Sequence, residues 1–177
     1  MTIGMVARDG VDLIVGCDSR VTYGGEVEVT QKWMRTSFGV FVTSGSAGWS
    51  RRALRAIGPA GYQSAEHAMD VIHDAMVATC GAMDRTRDSV SMLAGVITDR
   101  GLAAIYADHT GDVREIGQME AIGCSLAARV AWPLLWQSVS ATDRVRACMA
   151  HVAEHTIAAG PPYHVWRITT DDIQEAT

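Results

Sequence analysis

The sequence predicts an α+β fold in a single domain, residues 1–177, with two sheets enclosed between pairs of helices. Three observations predict it. Apolar, alternating segments crowd the first 44 or so residues and return between Val90 and Ile122. Each group is followed by two segments with helical spacing of apolar residues, and one more strand closes the chain. Of the 177 residues, 48% are hydrophobic, enough for a sizeable core. Two sheets with helix pairs outside would bury all four amphipathic helix faces.

The elements follow in order. A strand that starts at the chain terminus and a second over Val11 to Cys17 are joined at Asp9-Gly10, a dipeptide that favours tight turns. Asp18-Ser19-Arg20 ends the second strand, and Val21 to Gly25 reads as a turn-rich link. Glu26–Thr30 and Gln31–Thr36 alternate, and Val40–Thr43 is an apolar strand. Trp49 to Ile57 is predicted helical, with Ser46 as cap and Gly58-Pro59 as breaker. A second helix runs from Ser64 to about Met83, with Ala68, Ile72 and Met76 on one face. Strands are predicted at Val90–Thr98, Leu102–Ala107, Val113–Ile116 and Glu120–Ile122. Gly123-Cys124-Ser125 opens a third helix that Pro133 kinks or ends. Thr142 to Ala158 is a fourth, with Val145, Cys148, Met149 and Val152 on one face. Tyr163–Thr169 is the last strand, followed by a polar tail.

Composition excludes several functions. Net charge is -5 and mixed along the chain, with no Lys/Arg-rich block for nucleic acid or an acidic membrane. No apolar run reaches membrane-spanning length, and no secretory signal is evident, so a cytoplasmic protein is expected. Cys17, Cys80, Cys124 and Cys148 form no C-x-x-C pair and read as free thiols. His151 and His155 flank Glu154 four residues apart, but lack the H-E-x-x-H arrangement and read as a solvated helix face. No metal and no cofactor are expected. Without a G-x-x-x-x-G-K-[ST] motif, any nucleotide-driven step belongs to another protein.

The start of the chain carries the chemistry. If Met1 is removed, Thr2 presents a hydroxyl and a free α-amine on one residue. An amine with an unperturbed pKa of roughly 7.7–8.0 can accept the hydroxyl proton near neutral pH.

Thr2, Asp18-Ser19-Arg20, the Lys32 segment, Gly45-Ser46-Ala47 and Ala121-Ile122-Gly123 together resemble a proteasome β-type subunit, and the length resembles the bacterial HslV-type peptidase. The resemblance implies a four-layer αββα sandwich, the Ntn-hydrolase (proteasome-like) fold. It implies a threonine endopeptidase that cleaves polypeptide inside a homo-oligomeric ring, with a separate ATPase unfoldase as a further partner. Residue by residue, Thr2 resembles the nucleophile, Asp18 the aspartate sixteen residues beyond it, and Lys32 the active-site lysine. Gly45 resembles the glycine that stabilises the oxyanion, and Ser125, or Cys124, the serine near the amine. Val21, Met34, Thr43, Ala47 and Arg51 resemble the pocket for the residue before the cut, which implies apolar or small neutral side chains there. Two other readings of the same residues remain: a catalytically silent ring-forming relative, and a small-amide hydrolase on the same fold.

Overall fold

The computed structural model describes residues 2–23, 26–84, 88–134, 140–156 and 159–176, with side chains at all of these except 21–23, 26–29, 125 and 134. One five-stranded antiparallel sheet takes β1 (Ile3–Asp9), β2 (Asp12–Asp18), β10 (Met119–Gly123), β11 (Tyr163–Ile168) and β12 (Ile173–Glu175), in the order β10-β1-β2-β11-β12. A second takes β5 (Trp33–Arg35), β6 (Gly39–Gly45), β7 (Val90–Thr98), β8 (Gly101–Asp108) and β9 (Val113–Glu115), in chain order. A two-stranded ribbon pairs β3 (Arg20–Tyr23) with β4 (Glu26–Val29).

Period-two alternation assigns each strand residue to a layer. On β1, Ile3, Met5 and Ala7 join a core with Val145, Cys148 and Met149 of helix α4 (Ala141–Glu154) and Ala128 of α3 (Ser125–Leu134). Val6 points the other way, into the core between the sheets with Val15, Val42, Leu93 and Trp166. On β6, Phe41 packs with Leu54 of α1 (Ala47–Ile57) and Ile72 of α2 (Ala65–Cys80), while Val40 and Val42 face the other sheet. The layers are helix pair, sheet, sheet, helix pair, as the sequence implies. The sheets approach closely at Gly95, where an added Cβ would come within 2.7 Å of Ile168 Cδ1 and 2.8 Å of Val15 Cγ2.

Several elements differ in detail from the sequence reading. The first hairpin turns at Gly10-Val11, since Asp9 pairs with Asp12, and Gly10 supplies the positive φ of 63°. Residues Arg20–Tyr23, read as a link, form β3 by pairing with β4. The polar tail holds β12, because Ile173 is buried between the sheets and brings Gln174 and Glu175 into register with β11. Ser46 occupies the cap position of α1 but does not cap it; its hydroxyl donates instead to Asp88 Oδ1 at 2.5 Å. Ser64 and Ser140 are the serines that cap helices, accepting from the N–H groups of His67 and Asp143.

Cys17, Cys80 and Cys148 are buried and Cys124 is half-buried, all as free thiols. Burial pushes the Cys148 thiol up to about 11, which keeps it protonated and unreactive at neutral pH. Trp132 and Trp166 are buried in the core. Among the described residues no helix is long and apolar enough to cross a membrane.

Candidate active site

Asp18 organises the site. It ends β2, is fully buried, and receives three donors. Its Oδ1 accepts the Ile3 N–H at 2.9 Å and the Lys32 ammonium at 3.1 Å, and its Oδ2 accepts the Gly160 N–H at 3.2 Å. One carboxylate thereby joins the start of β1, the lead into β5 and the segment before β11. Burial pushes the Asp18 carboxyl above its ordinary value, against the opposing pull of Lys32 and of the two N–H groups. Lys32 is 6% exposed and also donates to the Arg20 carbonyl. Its own carbonyl accepts the N–H and hydroxyl of Thr43, which fixes the lysine against β6.

Thr2 is 4% exposed, and its carbonyl accepts the Cys124 N–H at 2.9 Å. The approach requires glycine at 123. Gly123 has φ 77°, and a Cβ there would stand 1.7 Å from Thr2 O. The same Cβ would stand 2.9 Å from Ser44 Oγ. Thr2, Gly123, Ser44 and Gly45 are thus contiguous, although they come from the chain start, the end of β10 and the end of β6. Gly45 is exposed, has φ 110° and backs onto the Ser89 carbonyl, which a Cβ would meet at 1.9 Å.

The expected site residues therefore fall in distinct places. Asp18 and Lys32 form a buried ion pair, and Asp18 is bonded to the amide that follows Thr2. Gly45 meets Thr2 through Ser44 and Gly123. Ser125 begins α3, but its side chain lies outside the described residues, as do Met1 and the side chain of Val21. Of the pocket residues, Thr43 is buried, Met34 packs against the core under α1, and Ala47 and Arg51 are exposed one turn apart on α1. His151, Glu154 and His155 are exposed at the end of α4, where one ligand atom of each lies within 4.8 Å of the others.

Sequence reasoning missed Gly160, Ser44 and the Cys124 N–H. Two of these act through backbone N–H groups, which every residue except proline carries, so no side-chain signal marks them. It also missed Glu120, which is 7% exposed and accepts from Arg114 at 2.7 Å, from Arg129 and from the Ala121 N–H at 3.0 Å. Burial raises the Glu120 carboxyl, but the two guanidiniums and the amide outweigh it and hold it below its ordinary value.

No family model and no curated protein sequence matches the chain. Among solved structures it is similar to a mutant of Anbu from Hyphomicrobium sp. strain MC1, with a TM-score of 0.83 and 13% identity over 99% of this chain and 86% of that one. This corrects the resemblance drawn from the sequence. Membership of the proteasome β-type or HslV-type family does not stand, because the match is to Anbu and is one of structure without a sequence family. The short motifs that suggested it mark turns and strand ends, which the fold itself demands. At this identity the likeness establishes the architecture, an Ntn-hydrolase-like αββα sandwich.

Proposed function

We propose that the protein is an N-terminal threonine endopeptidase, active once Met1 is removed. One observation carries the reading. The fully buried Asp18 carboxylate binds the amide just after Thr2 and a buried lysine ammonium together. That arrangement sets a fixed positive charge near the start of the chain.

Amide hydrolysis needs a nucleophile, a base and donors for the oxyanion. Thr2 Oγ attacks the scissile carbonyl, and its α-amine takes the hydroxyl proton. Lys32 favours the neutral amine by like-charge repulsion, and Asp18 holds the Lys32 side chain in place. The Gly45 N–H receives the negative oxygen. Ser125 assists at the amine. Met34, Thr43, Ala47, Arg51 and Val21 border the residue before the cut and favour apolar or small neutral side chains. A peptide library tests the assignment: cleavage falls after such residues, and cleavage mainly after Lys or Arg overturns it.

Lys32→Ala is expected to lower kcat/KM by at least about 10²-fold. The acid limb of its pH profile should move to higher pH, since an amine without a neighbouring cation holds its proton longer. A lysine with only a structural role would leave that limb in place. Circular dichroism must first establish that the variant is folded, because removing one partner of a buried ion pair costs about 3–5 kcal/mol.

The cytoplasmic enzyme assembles as a closed homo-oligomeric ring, fed with polypeptide by a separate ATPase. Leu126 and Val130, 77% and 60% exposed and one turn apart on α3, supply an apolar stripe for a subunit contact. Light scattering at micromolar concentration should give a multiple of 19.0 kDa; a monomer removes the ring from the proposal.

A further inference from the structure

We propose that the cavity beside Gly45 binds a carboxylate on the leaving side of the scissile amide, with Arg129 and Arg114 as its ligands. This rests on the peptidase reading above and adds a substrate preference to it.

Topology gives the direction. In its sheet, β6 lies between β5 and β7, so Gly45 at the end of β6 has β5 on one side and β7, β8 and β9 on the other. Met34, assigned to the pocket before the cut, stands on β5. A peptide that crosses Gly45 with its acyl part toward Met34 runs its leaving part toward β7–β9. There a cavity of about 390 Å³ opens, lined by Ser44, Gly45, Tyr106, Arg114, Gly123 and Arg129 among others. Three of these residues, Ser44, Gly45 and Gly123, already belong to the site around Thr2.

Among the described residues the lining holds two arginines and no carboxylate. Arg114 comes from β9 and Arg129 from α3, and Glu120 draws them together from behind the cavity wall, one on each oxygen. Arg114 is fixed further by stacking over the Tyr106 ring, 4.5 Å from its centroid. The two guanidiniums share the one Glu120 carboxylate, and each has five donors in a planar fork that matches a carboxylate. Both side chains remain about half exposed, at 45% and 54%, so their donors are open to a ligand. Of the other acidic groups nearby, Asp112 pairs with Arg114, and Asp108 makes no ion pair with either arginine among the described residues. Asp108 accepts from the Tyr106 hydroxyl and from Thr110, and Asp112, 52% exposed, lies 3.6 Å from Arg114 Nε outside the lining.

The test uses the full-length Thr2→Ala protein and two fluorescent, amide-capped peptides, Ala-Ala-Leu-Glu-Ala and Ala-Ala-Leu-Gln-Ala. Anisotropy titration at moderate salt should give about tenfold tighter binding of the Glu peptide, the factor expected for one charge-assisted hydrogen bond. Arg129→Ala in the same background should remove the preference and leave the Gln peptide unaffected. Arg129 is more than half exposed, and Glu120 keeps Arg114 and the Ala121 N–H without it, so this variant should fold. Equal binding of the two peptides, a preference that survives Arg129→Ala, or no binding of either overturns the proposal. The two readings fail separately. Hydrolysis by the wild-type protein with no Glu preference keeps the peptidase and removes the acidic subsite. A Glu preference lost in Arg129→Ala, in a protein that hydrolyses no peptide, keeps the subsite and removes the peptidase.

Discussion

Thr2→Ala should abolish peptide hydrolysis while leaving fold and assembly unchanged. A lost nucleophile is expected to lower kcat by on the order of 10⁶-fold, down to what binding and oxyanion stabilisation supply alone. The fold should tolerate it because the Thr2 carbonyl, which accepts the Cys124 N–H, is present in alanine. Thr2→Ser should retain measurable activity, since the hydroxyl and the amine remain together. Intact mass must accompany the assay. An active protein should begin at Thr2, because a retained Met1 would convert the base into an amide nitrogen. Full activity in Thr2→Ala, or in a sample that keeps Met1, would favour a different nucleophile. A native sample that keeps Met1 and cleaves nothing would favour the silent relative.

Gly45→Ala should affect both stability and rate. At φ 110° an L side chain is strained, and its Cβ would meet Ser89 O at 1.9 Å, Ser89 C at 2.7 Å and Val90 Cα at 3.1 Å. All three atoms are backbone, so no rotamer change relieves the contact. The ends of β6 and β7 must separate, which strains the Ser46 N–H bond to the Ser89 carbonyl at 2.8 Å. We expect a loss of about 3 kcal/mol, read from urea denaturation midpoints. Where the variant remains folded, kcat should fall by about 10²–10³-fold through the displaced oxyanion donor. Gly48→Ala is the control. It lies in α1 with nothing within 4 Å of an added Cβ, so it should gain roughly 0.5–1 kcal/mol from helix propensity. Equal stability of Gly45→Ala and wild type would remove the argument from close approach.

The layered fold was legible in local pattern alone. Period-two and helical patterns are local, and a sheet face or helix stripe that is apolar must be covered whatever the chain does elsewhere. Ile3, Met5 and Ala7 against Val6, or Val145, Cys148, Met149 and Val152 on one helix face, therefore predict the layers they occupy. Elements whose strand character comes from pairing were not legible. Arg20–Tyr23 is a strand because β4 lies beside it, and Ile173–Glu175 because β11 does.

The same division runs through the site. Thr2, Asp18, Lys32 and Gly45 were readable as residue types suited to one chemistry, and the sequence placed each at a strand end or turn. That Asp18 binds the amide after Thr2, and that Lys32 shares its carboxylate, was decided by tertiary structure. So were the Gly160 and Cys124 N–H donors, which carry no side-chain signature. The convergence of Arg114 and Arg129 on Glu120 depends on β9, β10 and the first turns of α3 meeting at the mouth of one cavity. Charges carried on separate elements gain a shared role only when packing brings them together, and that step depends on which layers meet.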